Sequence, residues 1–140
     1  MKLTLTTYDA KTNRYCVDAY AWIEYFDGST KGSIVAEIIE NDGNEIFVPV
    51  IAIAEVINAV KKRNRDVDTA FNKLLTLARM AEATPQVAKE TGLLYHELRQ
   101  KVRDFPLADA FLLATARQLN AKIITGDKHF AKMKNVVFLS

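Results

Sequence analysis

The feature that most constrains the fold of this 140-residue chain is a regular alternation of short β-rich runs with longer stretches of helical period. Strands that alternate with helices form βαβ units, whose parallel strands make a sheet covered by helices on both faces. We therefore predict an α/β fold, a three-layer α/β/α sandwich around a central, mostly parallel sheet. The predicted strands are Arg14–Val17, Glu45–Val48, Lys122–Thr125 and Asn135–Leu139, and the predicted helices are Ala19–Phe26, Lys31–Ile39, Val50–Arg63, Val67–Ala81, Gln86–Lys101 and Leu107–Leu119.

Length and composition indicate one domain over residues 1–140, because no repeat, low-complexity run or linker divides the chain. Its longest apolar stretch, Ile46–Val60, is interrupted by Pro49, Glu55 and Asn58, and is shorter than the roughly 20 apolar residues that span a bilayer. The first residues contain no apolar signal core, and the single cysteine is compatible with a reducing cytoplasm. We expect a cytoplasmic protein with no membrane partner. Met1–Thr6 fits either an edge strand or a frayed arm.

Four carboxylates lie in otherwise apolar surroundings. Asp18 is the only charged residue from Tyr15 to Ile23, at the junction of a predicted strand and helix. Glu55 is the only charge between Ile46 and Val60, and Asp109 is the only charge between Phe105 and Ala116. Asp127 follows a predicted strand after one glycine. Since an isolated buried carboxylate is costly, each acid needs a partner or a function.

Each acid taken alone also has a structural explanation. Asp18 and Asp109 stand where aspartates cap helices or favour the helix dipole, and Asp127 could be a turn residue. Together the acids favour a site, because ligands of open parallel sheets bind at the carboxyl ends of the strands. Clustered carboxylates repel one another unless cations lie between them, and oxygen ligands suit Mg²⁺ or Mn²⁺. Zinc is disfavoured, since one cysteine and two histidines cannot build a usual closed site.

At these residues the sequence resembles the PIN-domain family, and within it the VapC-type toxin ribonucleases. The resemblance extends from about Cys16 to Leu139, and four blocks in the same order produce it. The blocks are VDAYAWIEYFDGS with Asp18, VPVIAIAEVINAV with Glu55, PLADAFLLATARQLNAKIITGDKHF with Asp109 and Asp127, and the closing NVVFL.

The resemblance implies a metal-dependent endoribonuclease, in which Asp18, Glu55, Asp109 and Asp127 bind one or two divalent ions, Mg²⁺ or Mn²⁺. It implies an RNA substrate cleaved to leave a 5′-phosphate and a 3′-hydroxyl. It further implies a hydroxyl contribution from Thr125, a homodimer, and inhibition by a cognate antitoxin protein. A non-catalytic PIN scaffold that only binds partners is the alternative, although such a protein should have lost acids. A phosphoacceptor receiver domain is disfavoured, because the middle strand ends at Val48–Pro49 without an acid.

Other residues allow more than one interpretation. The basic cluster of Lys61, Lys62, Arg63 and Arg65 either favours the dipole of its helix or contacts the RNA backbone. His129 is expected to be a solvated loop residue rather than a general acid. The aromatic residues of the first helix are expected to serve core or dimer packing; they are Trp22, Tyr25 and Phe26.

Overall fold

The computed structural model describes residues 8–140, so the expectation for Met1–Thr6 lies outside the described part of the chain. Five strands form one sheet in the order β3-β2-β1-β4-β5, and every neighbouring pair is parallel. The strands are β1 (Arg14–Val17), β2 (Glu45–Pro49), β3 (Arg79–Ala81), β4 (Lys122–Thr125) and β5 (Val136–Phe138). The helices are α1 (Ala19–Asp27), α2 (Thr30–Ile39), α3 (Val50–Lys62), α4 (Val67–Leu77), α5 (Pro85–Lys101) and α6 (Leu107–Leu119).

Two apolar cores pack on opposite faces of this sheet. Side chains alternate across a strand, so consecutive residues of β1 belong to different cores. Val17 packs with α1 to α4, and Cys16 packs with α5 and α6. Ile124 and Ile123 of β4 divide in the same way. The three-layer α/β/α sandwich predicted from the sequence is therefore confirmed. In residues 8–140 no helix has both the length and the apolar character needed to cross a membrane.

One predicted element is wrong. The sequence pattern predicts a single helix over Val67–Ala81, but α4 ends at Leu77 and Arg79–Ala81 forms the edge strand β3. Ala78 has extended backbone angles, which break the helix, and Met80 pairs with Val48 of β2. A three-residue strand is too short for its period to stand out from the helical pattern that precedes it.

The first helix places its aromatic residues unequally. Trp22 is completely buried, and its indole N–H donates to the Val17 carbonyl at 3.1 Å. Tyr25 and Phe26 are only partly buried and pack against Trp22. Trp22 is thus a core residue and offers no surface to a partner.

The two central strands end side by side. Val17, the last residue of β1, is in register with Ile124 of β4, so the residues that follow the two strands emerge together. The Asp18 backbone N–H continues the ladder by donating to the Ile124 carbonyl at 3.1 Å. This junction brings Asp18 beside Thr125 at the carboxyl edge of the sheet, although 107 positions separate them in the sequence.

Candidate active site

Asp18 is fixed by hydrogen bonds to both of its carboxylate oxygens. Oδ1 accepts from the backbone N–H of Ala19 at 2.7 Å, so Asp18 caps α1 as the structural explanation anticipated. Oδ2 accepts from the Thr125 hydroxyl at 2.9 Å. Asp18 therefore both caps α1 and belongs to the acid cluster. The carboxylate is oriented before any ligand arrives.

Asp127 is held by the same threonine and by the turn that it begins. Its backbone N–H donates to Thr125 Oγ1 at 3.1 Å, and its Oδ1 accepts from the His129 N–H at 2.9 Å. The residue before it, Gly126, lies directly against the Tyr20 ring, because a Cβ at this position would be only 2.2 Å from Cε1 of that ring. Thr125 is completely buried, and its hydroxyl group contacts both Asp18 and the backbone of Asp127.

His129 lies in the acid cluster and not in a solvated loop, so that expectation is wrong. Its Nδ1 is 2.8 Å from Asp127 Oδ1 and 3.0 Å from Asp109 Oδ2, and its side chain is 15% exposed. The ring meets Phe105 edge to face at a centroid distance of 5.5 Å. Ligand atoms of Asp109, Asp127 and His129 all fall within 4.8 Å of one another, a spacing that could hold a metal ion. His129 lies two residues after Asp127, inside the one-turn 3₁₀ helix that Asp127 caps.

Glu55 reaches the cluster from α3, on the far side of an open cleft. The cleft has a volume of about 390 Å³ and includes all four predicted acids in its lining. Asn58 and Lys62 follow Glu55 at helical spacing and line the same cleft. Asn58 was not singled out by the sequence, because a single amide on a helix carries no distinctive signal. Glu55 is exposed as a residue, so it faces the cleft and does not enter the core.

The pKa values of the acids show that they influence one another. Burial raises the pKa of Asp109 to about 7, assisted by the charges of Asp127 and Asp18. Burial also raises the pKa of Asp18, although hydrogen bonds from Thr125 and Ala19 oppose that rise. Partial desolvation and the charge of Asp18 raise the pKa of Glu55. A cation would relieve this repulsion.

The basic cluster at the end of α3 divides between two roles. Arg63 and Arg65 both pair with Asp27 at the end of α1, at 3.2 Å and 2.9 Å, so they tie the two helices together. Lys62 lines the acid cleft, as part of Arg63 also does, whereas Lys61 is exposed and does not line it. Arg63 and Arg65 therefore have a structural contact between helices, and the RNA-backbone contact stays a prediction for Lys62.

Comparison with known proteins agrees with this architecture. The sequence profile of the PIN domain matches residues 15–136. The chain belongs to the PIN domain family. A search of curated proteins returned no significant match. The matched residues include β2, β3 and β4 in full, β1 from Tyr15 onward, the first residue of β5, and every residue of the acid cleft named above.

Several solved toxin structures share this PIN fold over nearly their whole length. A toxin–antitoxin complex from Klebsiella pneumoniae aligns with a TM-score of 0.70 at 24% identity, covering 90% of this chain and 98% of that one. VapBC2 from Rickettsia felis, bound to a DNA fragment from its promoter, aligns with a TM-score of 0.70 at 19% identity, covering 89% and 96%. VapC20 from Mycobacterium tuberculosis, a toxin that cleaves the sarcin–ricin loop, aligns with a TM-score of 0.68 at 16% identity, covering 87% and 98%. At these identities the likeness establishes the fold.

Proposed function

We propose that this PIN protein is a metal-dependent endoribonuclease that hydrolyses RNA phosphodiester bonds, and that it is the toxin of a toxin–antitoxin pair. The observation that carries the proposal is the convergence of Asp18, Glu55, Asp109 and Asp127 on one open cleft from four separate parts of the chain. A structural role would explain each acid alone, but not their meeting at the carboxyl edge of the sheet.

The donor set fits a divalent cation. Asp109 Oδ2 is buried, and among the described residues no group forms a hydrogen bond with it. An unsatisfied buried oxygen beside other carboxylates is destabilising unless a ligand completes its contacts. We assign Asp18, Glu55, Asp109 and Asp127 as the residues that would hold Mg²⁺ or Mn²⁺. When bound, such an ion supplies hydroxide near neutral pH and offsets the charge that develops on the scissile phosphate.

The residues of the chain position the reacting groups. Thr125 and the Ala19 N–H fix both oxygens of Asp18, while the turn through His129 fixes Asp127. Fixed carboxylates require little reorganisation during the reaction, which is the main benefit of a preorganised site. The cleft is open, so a phosphodiester within a long RNA chain can enter without threading an end. Water as the nucleophile, in place of the 2′-hydroxyl, would give hydrolysis without a cyclic phosphate. The resemblance to the PIN ribonucleases further implies that the leaving group is the 3′-oxygen, so that the products carry a 5′-phosphate and a 3′-hydroxyl.

Lys62 is the side chain best placed to contact the RNA backbone, since it lines the cleft one helical turn beyond Asn58. The net charge of +2 gives little attraction for a polyanion. Neutralising the four acids with cations would change that charge to +6 and would favour RNA binding. Metal and RNA should therefore bind cooperatively.

An antitoxin partner, a homodimer and a cytoplasmic location complete the proposal. The antitoxin is supported by the PIN proteins of similar fold, several of which were solved in toxin–antitoxin complexes. A partner that places a basic side chain among the carboxylates would compensate the same charge that the metal compensates. The alternative is a non-catalytic PIN scaffold, which would have no need of four converging acids.

Substitution of Asp18 distinguishes the enzyme from the scaffold. Asp18→Asn keeps the size and the cap but removes one metal-binding charge, so we expect cleavage of structured RNA with Mg²⁺ or Mn²⁺ to fall by at least about a thousandfold, the range typical of an essential group. The matched control is Asp66→Asn, because Asp66 caps α4 through Thr69 and lies outside the cleft. Circular dichroism of both variants should match the parent. Cleavage that survives a chelator, or an Asp18→Asn protein as active as the parent, would contradict the proposed mechanism.

A further inference from the structure

His129 offers a nitrogen atom to a site otherwise built from carboxylates. Its Nδ1 lies 2.8 Å and 3.0 Å from oxygens of Asp127 and Asp109, distances that would suit two hydrogen bonds. Yet neither contact has hydrogen-bond geometry, and Nδ1, Nε2 and Asp109 Oδ2 are all buried without a hydrogen-bond partner among the described residues. An N–H group that pointed at Asp109 would have satisfied two of these atoms at once.

The spacing and the orientation fit a shared ligand better than a direct contact. Adjacent ligands of an octahedral ion with bonds of about 2.1 Å lie about 3 Å apart, and each points about 45° away from its neighbour, toward the ion. His129 Nδ1 and Asp109 Oδ2 fit this description, because they are 3.0 Å apart and buried but form no hydrogen bond with each other. The ring packs edge to face against Phe105. The backbone of His129 is held separately, by the hydrogen bond that its N–H donates to Asp127.

We propose that His129 Nδ1 is a ligand of the divalent cation, together with Asp109 and Asp127, and that it biases the site toward Mn²⁺ over Mg²⁺. Oxygen ligands suit both Mn²⁺ and Mg²⁺, but Mn²⁺, as a transition metal, accepts an imidazole nitrogen more readily than the harder Mg²⁺ does. The inference rests on the proposed function, because it requires that the acid cleft binds a metal. It adds a nitrogen ligand to the oxygen ligands of the acids, and with it a preference for Mn²⁺ over Mg²⁺.

The experiment uses tag-free protein and Mn²⁺ itself as the probe. Electron-spin-echo spectroscopy of bound Mn²⁺ detects a coordinated imidazole nitrogen, and calorimetry gives the Kd values of Mn²⁺ and Mg²⁺. We compare the parent with His129→Asn and with His96→Asn. His96 is the matched control because it is the only other histidine and lies exposed on α5. In His96→Asn the only imidazole left is that of His129, so this variant tests the proposal even if His129→Asn does not fold.

We expect imidazole coupling in the parent and in His96→Asn, and its loss in His129→Asn. The Kd of Mn²⁺ should rise at least about tenfold in His129→Asn, while that of Mg²⁺ changes by less than about threefold. If Asp109→Asn weakens Mn²⁺ binding but the parent shows no imidazole coupling, the metal site stands and the His129 assignment fails. If the parent binds neither ion, the proposed function fails together with the assignment.

Discussion

Thr125 is the residue on which the geometry of the acid cluster depends. It is completely buried, its hydroxyl donates to Asp18, and its oxygen accepts from the Asp127 N–H. The bond to Asp18 lowers the pKa of that carboxyl against the rise caused by burial. Thr125 therefore helps keep Asp18 ionised, and ready to bind a cation, without touching the substrate itself.

Replacing Thr125 by valine should weaken metal binding as well as the fold. The variant keeps the shape but leaves the part-buried N–H of Asp127 without its acceptor, which should lower the free energy of unfolding by about 1–3 kcal/mol. Asp18 would also lose the bond that favours its charged form, so half-maximal cleavage should need several times more Mg²⁺. Thr125→Ser keeps the hydroxyl and is the control. Urea unfolding and a Mg²⁺ titration of cleavage measure both effects, and equal behaviour of the two variants would argue against this role.

The four acids and Thr125 were singled out from the sequence, whereas Asn58 was not, and His129 was expected in a solvated loop. Asp18 and Asp109 stand out because each is a single charge in an apolar segment, a signal that needs no tertiary information. His129 carries no such signal, because a histidine in a polar loop is usually solvated. Only the fold shows that α6 brings Asp109 to within 3.0 Å of its ring. Lys61 and Lys62 likewise differ only in the direction that each takes from α3.

At the scale of elements, prediction failed where an element is short. The sequence pattern merges the helix α4 and the strand β3 into one helix, since three residues cannot show a period of two. Five of the six predicted helices and all four predicted strands occur close to their expected bounds, because each is long enough or is bounded by a proline or a turn. Pro49 and Pro106 immediately precede α3 and α6, and Pro85 opens α5.

The contact between α1 and α2 depends on a glycine that the sequence pattern did not reveal. A Cβ on Gly32 would lie 2.1 Å from the Glu24 carbonyl oxygen, and backbone cannot move aside as a side chain can. Gly32→Ala should therefore force the two helices apart and lower the free energy of unfolding by about 1–3 kcal/mol.

Gly92→Ala is the matched control for Gly32→Ala, because Gly92 lies in α5 and a Cβ there would have no atom within 4 Å beyond its own helix backbone and chain neighbours. Alanine there should stabilise the helix by about 0.5–1 kcal/mol. Thermal or urea unfolding of the two variants should therefore shift in opposite directions. Shifts of the same sign would show that the close approach of α1 and α2 does not determine how alanine at position 32 affects stability.

Four carboxylates of this chain lie together at one edge of its sheet, and the free energy of unfolding should therefore depend on pH. Three acids of the cleft, Asp18, Glu55 and Asp109, have raised pKa values, that of Asp109 reaching about 7. Each therefore binds its proton more tightly in the folded state than in the unfolded chain. A folded state that holds more protons loses stability as the pH rises. The burial of these carboxylates, together with their mutual repulsion, is thus a cost to the fold that a bound cation would reduce.

The metal-free protein should consequently be less stable at pH 8 than at pH 5. Below about pH 4 Asp109 is protonated in both states, between about pH 4 and 7 only the folded state holds its proton, and above about pH 7 the full penalty applies. Urea unfolding in chelator should show a lower midpoint at pH 8, and Mg²⁺ should restore it. Asp109→Asn should remove much of the difference, because its side chain has no proton to lose. A parent protein that is more stable at pH 8 than at pH 5 without metal would mean that neither burial nor neighbouring charge penalises the ionised carboxylates of the cleft.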